Sequence, residues 1–153
     1  PEGVSATMTY AFFYVFMTLG AFGVVIALGE RGETLDGYQG LAAQRPGTAA
    51  IMLLFLLSLT GIPPTAGFVA KFVVILSAVR AGHMALAVLA VACSVISAFI
   101  YMRVAVFLYM REPRDPAPSR FPMAVSAVLG VAALVTLIGG ISPGSLTLWA
   151  VSP

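Results

Sequence analysis

Lys71 is the only lysine in the chain, and it stands in the apolar run Phe68-Val69-Ala70-Lys71-Phe72-Val73. A charge at the centre of a membrane helix costs on the order of 3 kcal/mol. Burial disfavours the ammonium form, and the amino end of a helix beginning near Thr65 would push the same way. A lysine brought toward neutrality can release and regain a proton, whereas an arginine stays charged. The chemistry on offer is proton carriage, with Lys71 as the carrier. Snorkelling of the long side chain and a fixed structural ion pair are the plainer readings of the same residue. Glu2, Glu30, Glu33, Asp36, Glu112 and Asp115 all fall in loops or the leading tail. Any carboxylate that tunes Lys71 is therefore expected from outside these residues.

Weaker signals surround it. Ser94, Ser97 and Tyr101 recur at i, i+3 and i+7, one face of a helix, and would line a polar path near Lys71 or simply bond between helices. Arg103 would either snorkel to the headgroups or guard the loop side of that path. His83 would exchange protons at the outer surface or be an incidental surface histidine. Gly20 and Gly23 suit close helix packing. Cys93 is the single cysteine, and an internal disulfide is excluded. No nucleotide-binding glycine loop, metal-ligand cluster or nucleophile–base pair occurs. Redox and hydrolytic chemistry are not expected in these residues, nor is a bound cofactor, and nothing points to nucleic acid.

The elements that must position Lys71 are membrane helices. Of 153 residues, 60% are hydrophobic and 9% charged, against about 25% charged in soluble domains. A span needs about 20 apolar residues. Four candidates occur, at 8–28, 48–79, 84–110 and 123–141, giving an all-α polytopic bundle and a single transmembrane region over 1–153. Gly139, Gly140 and Pro143 are expected to end the fourth. The second candidate is too long, since residues 49–79 as one straight helix would measure ~46 Å. In its middle lies Gly61-Ile62-Pro63-Pro64-Thr65-Ala66-Gly67. Two adjacent prolines remove two backbone donors and drive the residues before them out of helical geometry. Two half-helices joined by an unwound segment at Gly61–Pro64 are expected, as in transporters where discontinuous helices mark ion sites. A simple proline kink is the alternative.

Arg31, Arg45, Arg111, Arg114 and Arg120 lie in the two longer loops, against Arg80 and His83 on the other side. The positive-inside rule puts loops 29–46 and 111–120 in the cytoplasm and Trp149 at the outer interface. Because the first residue is Pro1 and no signal-peptide pattern precedes the first apolar run, the chain reads as a C-terminal portion of a longer one.

The stretch LLSLTGIPPTAGFVAKF (Leu56 to Phe72) resembles the twelfth transmembrane helix of the antiporter-like subunits of respiratory complex I. YVFMTLGAFGVV (Tyr14 to Val25) is similar to the eleventh, YMRVAVFLYMREP (Tyr101 to Pro113) to the end of the thirteenth, and GYQGLAAQRP (Gly37 to Pro46) to the loop between. The pattern GxPxTxGFxxK is also shared with Mrp-type antiporters and related membrane-bound hydrogenase subunits. The resemblance implies the last four helices of a fourteen-helix subunit of NADH:quinone oxidoreductase, in a bacterial inner membrane. Lys71 matches the lysine after the break, one station of a proton route along the membrane arm. The M-type subunit tends to carry glutamate there, and the L-type continues into a long lateral helix; both departures point to the N-type. The resemblance further implies M-type, K-type and L-type partner subunits, with NADH, FMN, iron-sulfur clusters and quinone held elsewhere. An Mrp-type antiporter subunit and a purely structural bundle are the competing functions.

Overall fold

The computed structural model describes residues 2–114 and 122–141. They form α1 (Glu2–Leu28), α2 (Leu41–Gln44), α3 (Pro46–Thr60), α4 (Ala66–Arg80), α5 (Met84–Met110) and α6 (Met123–Ile141), with two 3-10 turns at Gly29–Glu33 and Leu35–Tyr38. No strand occurs among the described residues.

Among the described residues, three helices are long and apolar enough to cross a bilayer: Gly3–Glu33, which is α1 with its 3-10 extension, Met84–Met110 and Met123–Ile141. The second candidate region is two helices of 15 residues each. Each is about 22 Å long at 1.5 Å per residue, short of ~30 Å of hydrocarbon. Residues 61–65 between them are not helical, which rules out a mere kink. α1 starts before Met8, where the apolar run begins. The hydroxyls of Thr7 and Thr9 donate to the carbonyls of Gly3 and Ser5, at 2.8 and 3.0 Å, and so stay within the helix.

α1 is the axis of the bundle and packs against α3, α4 and α6, while α5 lies against α3 and α4. A cβ at Gly20 would fall on the Phe55 ring, and one at Gly23 on Leu129, so these two glycines do bring α3 and α6 close to α1. One buried cluster, including Val24, Leu41, Phe55, Leu108 and Leu129, fills the loop end. A second, Phe13, Met17, Ala66 and Ala70, sits at the middle of α1. Gly139 and Gly140 lie in the last turn of α6, which is described to Ile141; Pro143 lies outside the described residues. A Cβ on Gly140 would strike Pro64 O and Thr65, so α6 presses its small residues onto the break.

The loop 29–45 is folded, where the sequence suggested only a polar connection. Tyr38 is buried and donates to Gly32 O at 2.9 Å. Leu41 is fully buried, and Gly40 N–H donates to Phe107 O of α5 at 3.1 Å. This places the loop beside Arg111–Arg114, at the same end of the bundle. Asp36 and Arg114 approach to 4.0 Å there, both largely exposed, and such pairs contribute little. Residues 115–120 of the second loop and Trp149 lie outside the described residues.

Candidate functional site at the broken helix

The site begins with how α3 ends. Its last four carbonyls, Leu57 to Thr60, need donors from beyond the helix. Gly61 adopts φ 91° and ψ 44°, the left-handed conformation that glycine enters without steric cost. Its N–H donates to Leu57 O and Ser58 O, both at 3.0 Å, and Ile62 N–H to Leu57 O at 3.0 Å, a Schellman-type close. The donors that would continue the ladder to Leu59 O and Thr60 O belong to positions 63 and 64. Both are proline and have no N–H. Two carbonyls are left over at mid-bundle.

Lys71 takes both. From the second turn of α4 its Nζ donates to Leu59 O at 2.7 Å and to Thr60 O at 3.1 Å. A Cβ on Gly61 would lie 3.1 Å from Lys71 Cδ, so the capping glycine also clears the path of the side chain. Lys71 is half-buried, not fully enclosed by these helices. The expected influence of the α4 amino end is opposed here. The carboxyl end of α3, with its partial negative charge, touches the nitrogen directly. Hydrogen bonds to charged groups contribute about 1.5–3 kcal/mol each.

The half-helices are held by Ser58. Fully buried, it accepts from Gly67 N–H at 3.0 Å and donates to Met17 Sδ of α1 at 2.8 Å. A Cβ on Gly67 would fall on Ser58 O. Thr65, in extended geometry, does not cap α4; its hydroxyl donates to Ile62 O at 2.7 Å and tightens the linker.

Lys71 opens onto a cavity of about 240 Å³ bounded also by Tyr10, Ile75, Ser94 and Ser97. A second cavity, of about 360 Å³, shares Lys71, Ile75 and Ser94, and its remaining walls include Phe68, Phe72, Val91 and Val95. Of the residues singled out from sequence, Ser94 and Ser97 thus join Lys71. Tyr101 does not line either cavity; it packs against the loop-end cluster with Val104 and Phe107. Arg103 is exposed and lines neither. His83 is exposed in the turn after α4, separated from Lys71 by the nine residues to Arg80, about 14 Å of helix. Pro63 and Pro64 are exposed on the linker. Among the described residues no group of His, Cys, Asp and Glu could hold a metal ion.

Sequence reasoning missed Tyr10 and the two carbonyls. The carbonyls had a signal, since the prolines occupy the i+4 positions of Leu59 and Thr60. Tyr10 had none, being brought in by packing alone.

Residues 1–97, which include the break and Lys71, match the family model of the NADH:quinone oxidoreductase/Mrp antiporter transmembrane region. The chain belongs to this family. NADH-quinone oxidoreductase subunit N of Desulfovibrio desulfuricans is 44% identical over 166 residues, covering 97% of this chain and 33% of that protein. Subunit N 2 of Rhizobium meliloti is 45% identical, covering 93% of the chain and 30% of that protein. The chain spans about a third of the length of these relatives. Among solved structures, respiratory complex I from Thermus thermophilus with bound aureothin superposes with a TM-score of 0.82 at 29% identity, over 94% of this chain and 33% of that one. The Mrp complex from Dietzia sp. DQ12-45-1b shares the fold, with a TM-score of 0.82 at 22% identity, over 98% of this chain and 37% of its counterpart. The family that LLSLTGIPPTAGFVAKF resembles is the one the chain belongs to, and the named relatives are of the N type.

Proposed function

We propose that this chain is part of a proton-translocating membrane subunit of NADH:quinone oxidoreductase, in which Lys71 carries protons. The observation behind this reading is the pair of hydrogen bonds from Lys71 Nζ to Leu59 O and Thr60 O, beside a cavity edged with hydroxyls. The carbonyls stabilise the ammonium without a permanent counter-ion. Loss of the proton therefore leaves no stranded negative charge. Moving one charge against 100 mV costs about 2.3 kcal/mol, and a change of about two pKa units supplies a similar amount. A neighbouring charge that comes and goes during turnover would suffice to drive release.

In this reading the chain performs no electron transfer. NADH, FMN, iron-sulfur clusters and quinone belong to partner subunits, and M-type, K-type and L-type subunits flank it in the membrane arm. The chain crosses a bacterial inner membrane four times, α3 and α4 together making one broken span. Loops 29–46 and 111–120 face the cytoplasm, and His83 the outer side. Arg103 would hold the headgroup level near the cytoplasmic end of α5.

Two other readings have a specific observation in their favour. The equal superposition on the Mrp complex suits a cation/proton antiporter subunit; co-purifying subunits separate it from the first. The two carbonyls also suit a purely structural cation. Lys71→Arg in the full-length subunit separates that one, because a guanidinium can bond the same carbonyls but keeps its proton. In inverted membrane vesicles, NADH-driven proton uptake by the assembled complex is expected to fall on the order of tenfold or more. Uptake at the wild-type rate would falsify the carrier role.

A further inference from the structure

The cavity beside Lys71 has three hydroxyl-bearing walls, and they are not equivalent. Ser94 Oγ donates to Ala90 O at 2.8 Å, and Ser97 Oγ to Cys93 O at 2.9 Å. Both serine hydrogens are spent on their own helix, and what these oxygens offer the cavity is lone pairs. They can hold water or an ammonium in place, but they pass no proton while those bonds last. The Tyr10 phenol makes no hydrogen bond to another described residue. A phenol both donates and accepts, which a relay requires. Its ring is fixed by stacking on Tyr14, with centroids 5.7 Å apart, and by contact with the cluster of Phe13, Met17, Ala66 and Ala70. The same cluster holds Ala70, the neighbour of Lys71 in α4. The other cavity at Lys71 lacks such a group; its added walls are mostly apolar.

We infer that Tyr10 relays the proton between Lys71 and water in this cavity. About 240 Å³ has room for several waters at roughly 30 Å³ each. The Lys71 ammonium gives a proton to a cavity water. That water passes one on to the Tyr10 oxygen as the phenol hydrogen leaves to the next water. One proton has then moved, Lys71 is a neutral amine, and Tyr10 is neutral again. Ser94 and Ser97 orient the waters through their lone pairs. The role rests on Lys71 being a proton carrier and names its exchange partner.

The test is Tyr10→Phe in the full-length subunit, in inverted membrane vesicles energised with NADH. Proton uptake and NADH oxidation are measured in H2O and D2O, with Lys71→Arg in parallel and complex content read from native gels. The substitution keeps the ring, so a packing role alone predicts wild-type uptake. A relay predicts that uptake falls on the order of tenfold at unchanged complex content, with a larger solvent isotope effect, and that Tyr10→His recovers most of it. Wild-type uptake in Tyr10→Phe while Lys71→Arg stalls would overturn the relay and leave the carrier standing. Wild-type uptake in Lys71→Arg would overturn both. Should the phenylalanine variant not assemble, difluorotyrosine at position 10 keeps size and hydroxyl while making the phenol more acidic. A changed uptake rate then supports the relay, and an unchanged one rejects it.

Discussion

Every helix ends with main-chain carbonyls in need of a donor, and two such ends in this chain are completed differently. At the end of α5 the carbonyl of Phe107 receives the N–H of Gly40. A backbone amide has no second protonation state and cannot leave without unfolding the loop. At the end of α3 the carbonyls of Leu59 and Thr60 receive the ammonium of Lys71. That donor sits on a flexible four-carbon stem, and in the proposed function it releases its proton. The first solution makes a fixed joint. The second, in the proposed function, makes a joint that can be discharged, and it is the one beside the cavity.

The comparison breaks most sharply at Lys71. Lys71→Ala is expected to abolish proton uptake by the assembled complex, and to leave the α3 end open to water entering the break. Hydrogen–deuterium exchange at Ser58 to Gly61 should rise accordingly. Unchanged exchange there would mean that the ammonium is not what closes the end of α3. Gly67→Ala places a carbon on Ser58 O and forces the half-helices apart. Overpacking of this kind costs about 1–3 kcal/mol or more, and the amount of assembled complex on native gels should fall with it.

At the fixed joint the expected effects are on stability and not on pumping. Gly40 has φ 64°, and a Cβ there would come within 2.4 Å of Pro113 N. Gly40→Ala should cost about 2 kcal/mol in thermal melts of the purified complex while leaving proton uptake per NADH unchanged. A fall in that ratio would show that the loop joint is coupled to the carrier site after all.

The smallest effect is expected at Tyr38. Tyr38→Phe removes the bond to Gly32 O and should cost about 1 kcal/mol. Burial pushes the Tyr38 phenol above its ordinary value. Its neutral form is therefore favoured in the fold, and the stability it contributes is full below the ordinary phenol pKa of about 10 and declines as pH rises past it. Thermal melts above that pH should fall less steeply in the variant than in the wild type.

Much of the site around Lys71 was legible in the sequence. Pro63 and Pro64 break a helix wherever they occur together, Gly61 takes a left-handed cap readily, and a lone lysine among Phe68, Val69, Ala70, Phe72 and Val73 marks itself. Ser94 and Ser97 followed from helical spacing. Tyr101, four residues further along the same face, packs against the loop-end cluster with Val104 and Phe107 and lines neither cavity. Loop 29–45 read as a plain connection because its polar residues say nothing of Tyr38 and Leu41 folding back under α5. Arg103 and His83 stand out by type and place in the sequence, and neither lines either of the two described cavities at Lys71.

Composition, apolar run lengths and the proline pair are properties of neighbouring residues. They determined by themselves that the chain is a helical membrane bundle with one broken element and one ionisable residue beside the break. Which groups Lys71 touches was decided only by tertiary structure. Its side chain reaches back across the linker to α3, and Tyr10 of α1 lines the cavity beside it. Such contacts depend on how helices pack around Met17 and Gly67, which no local pattern encodes.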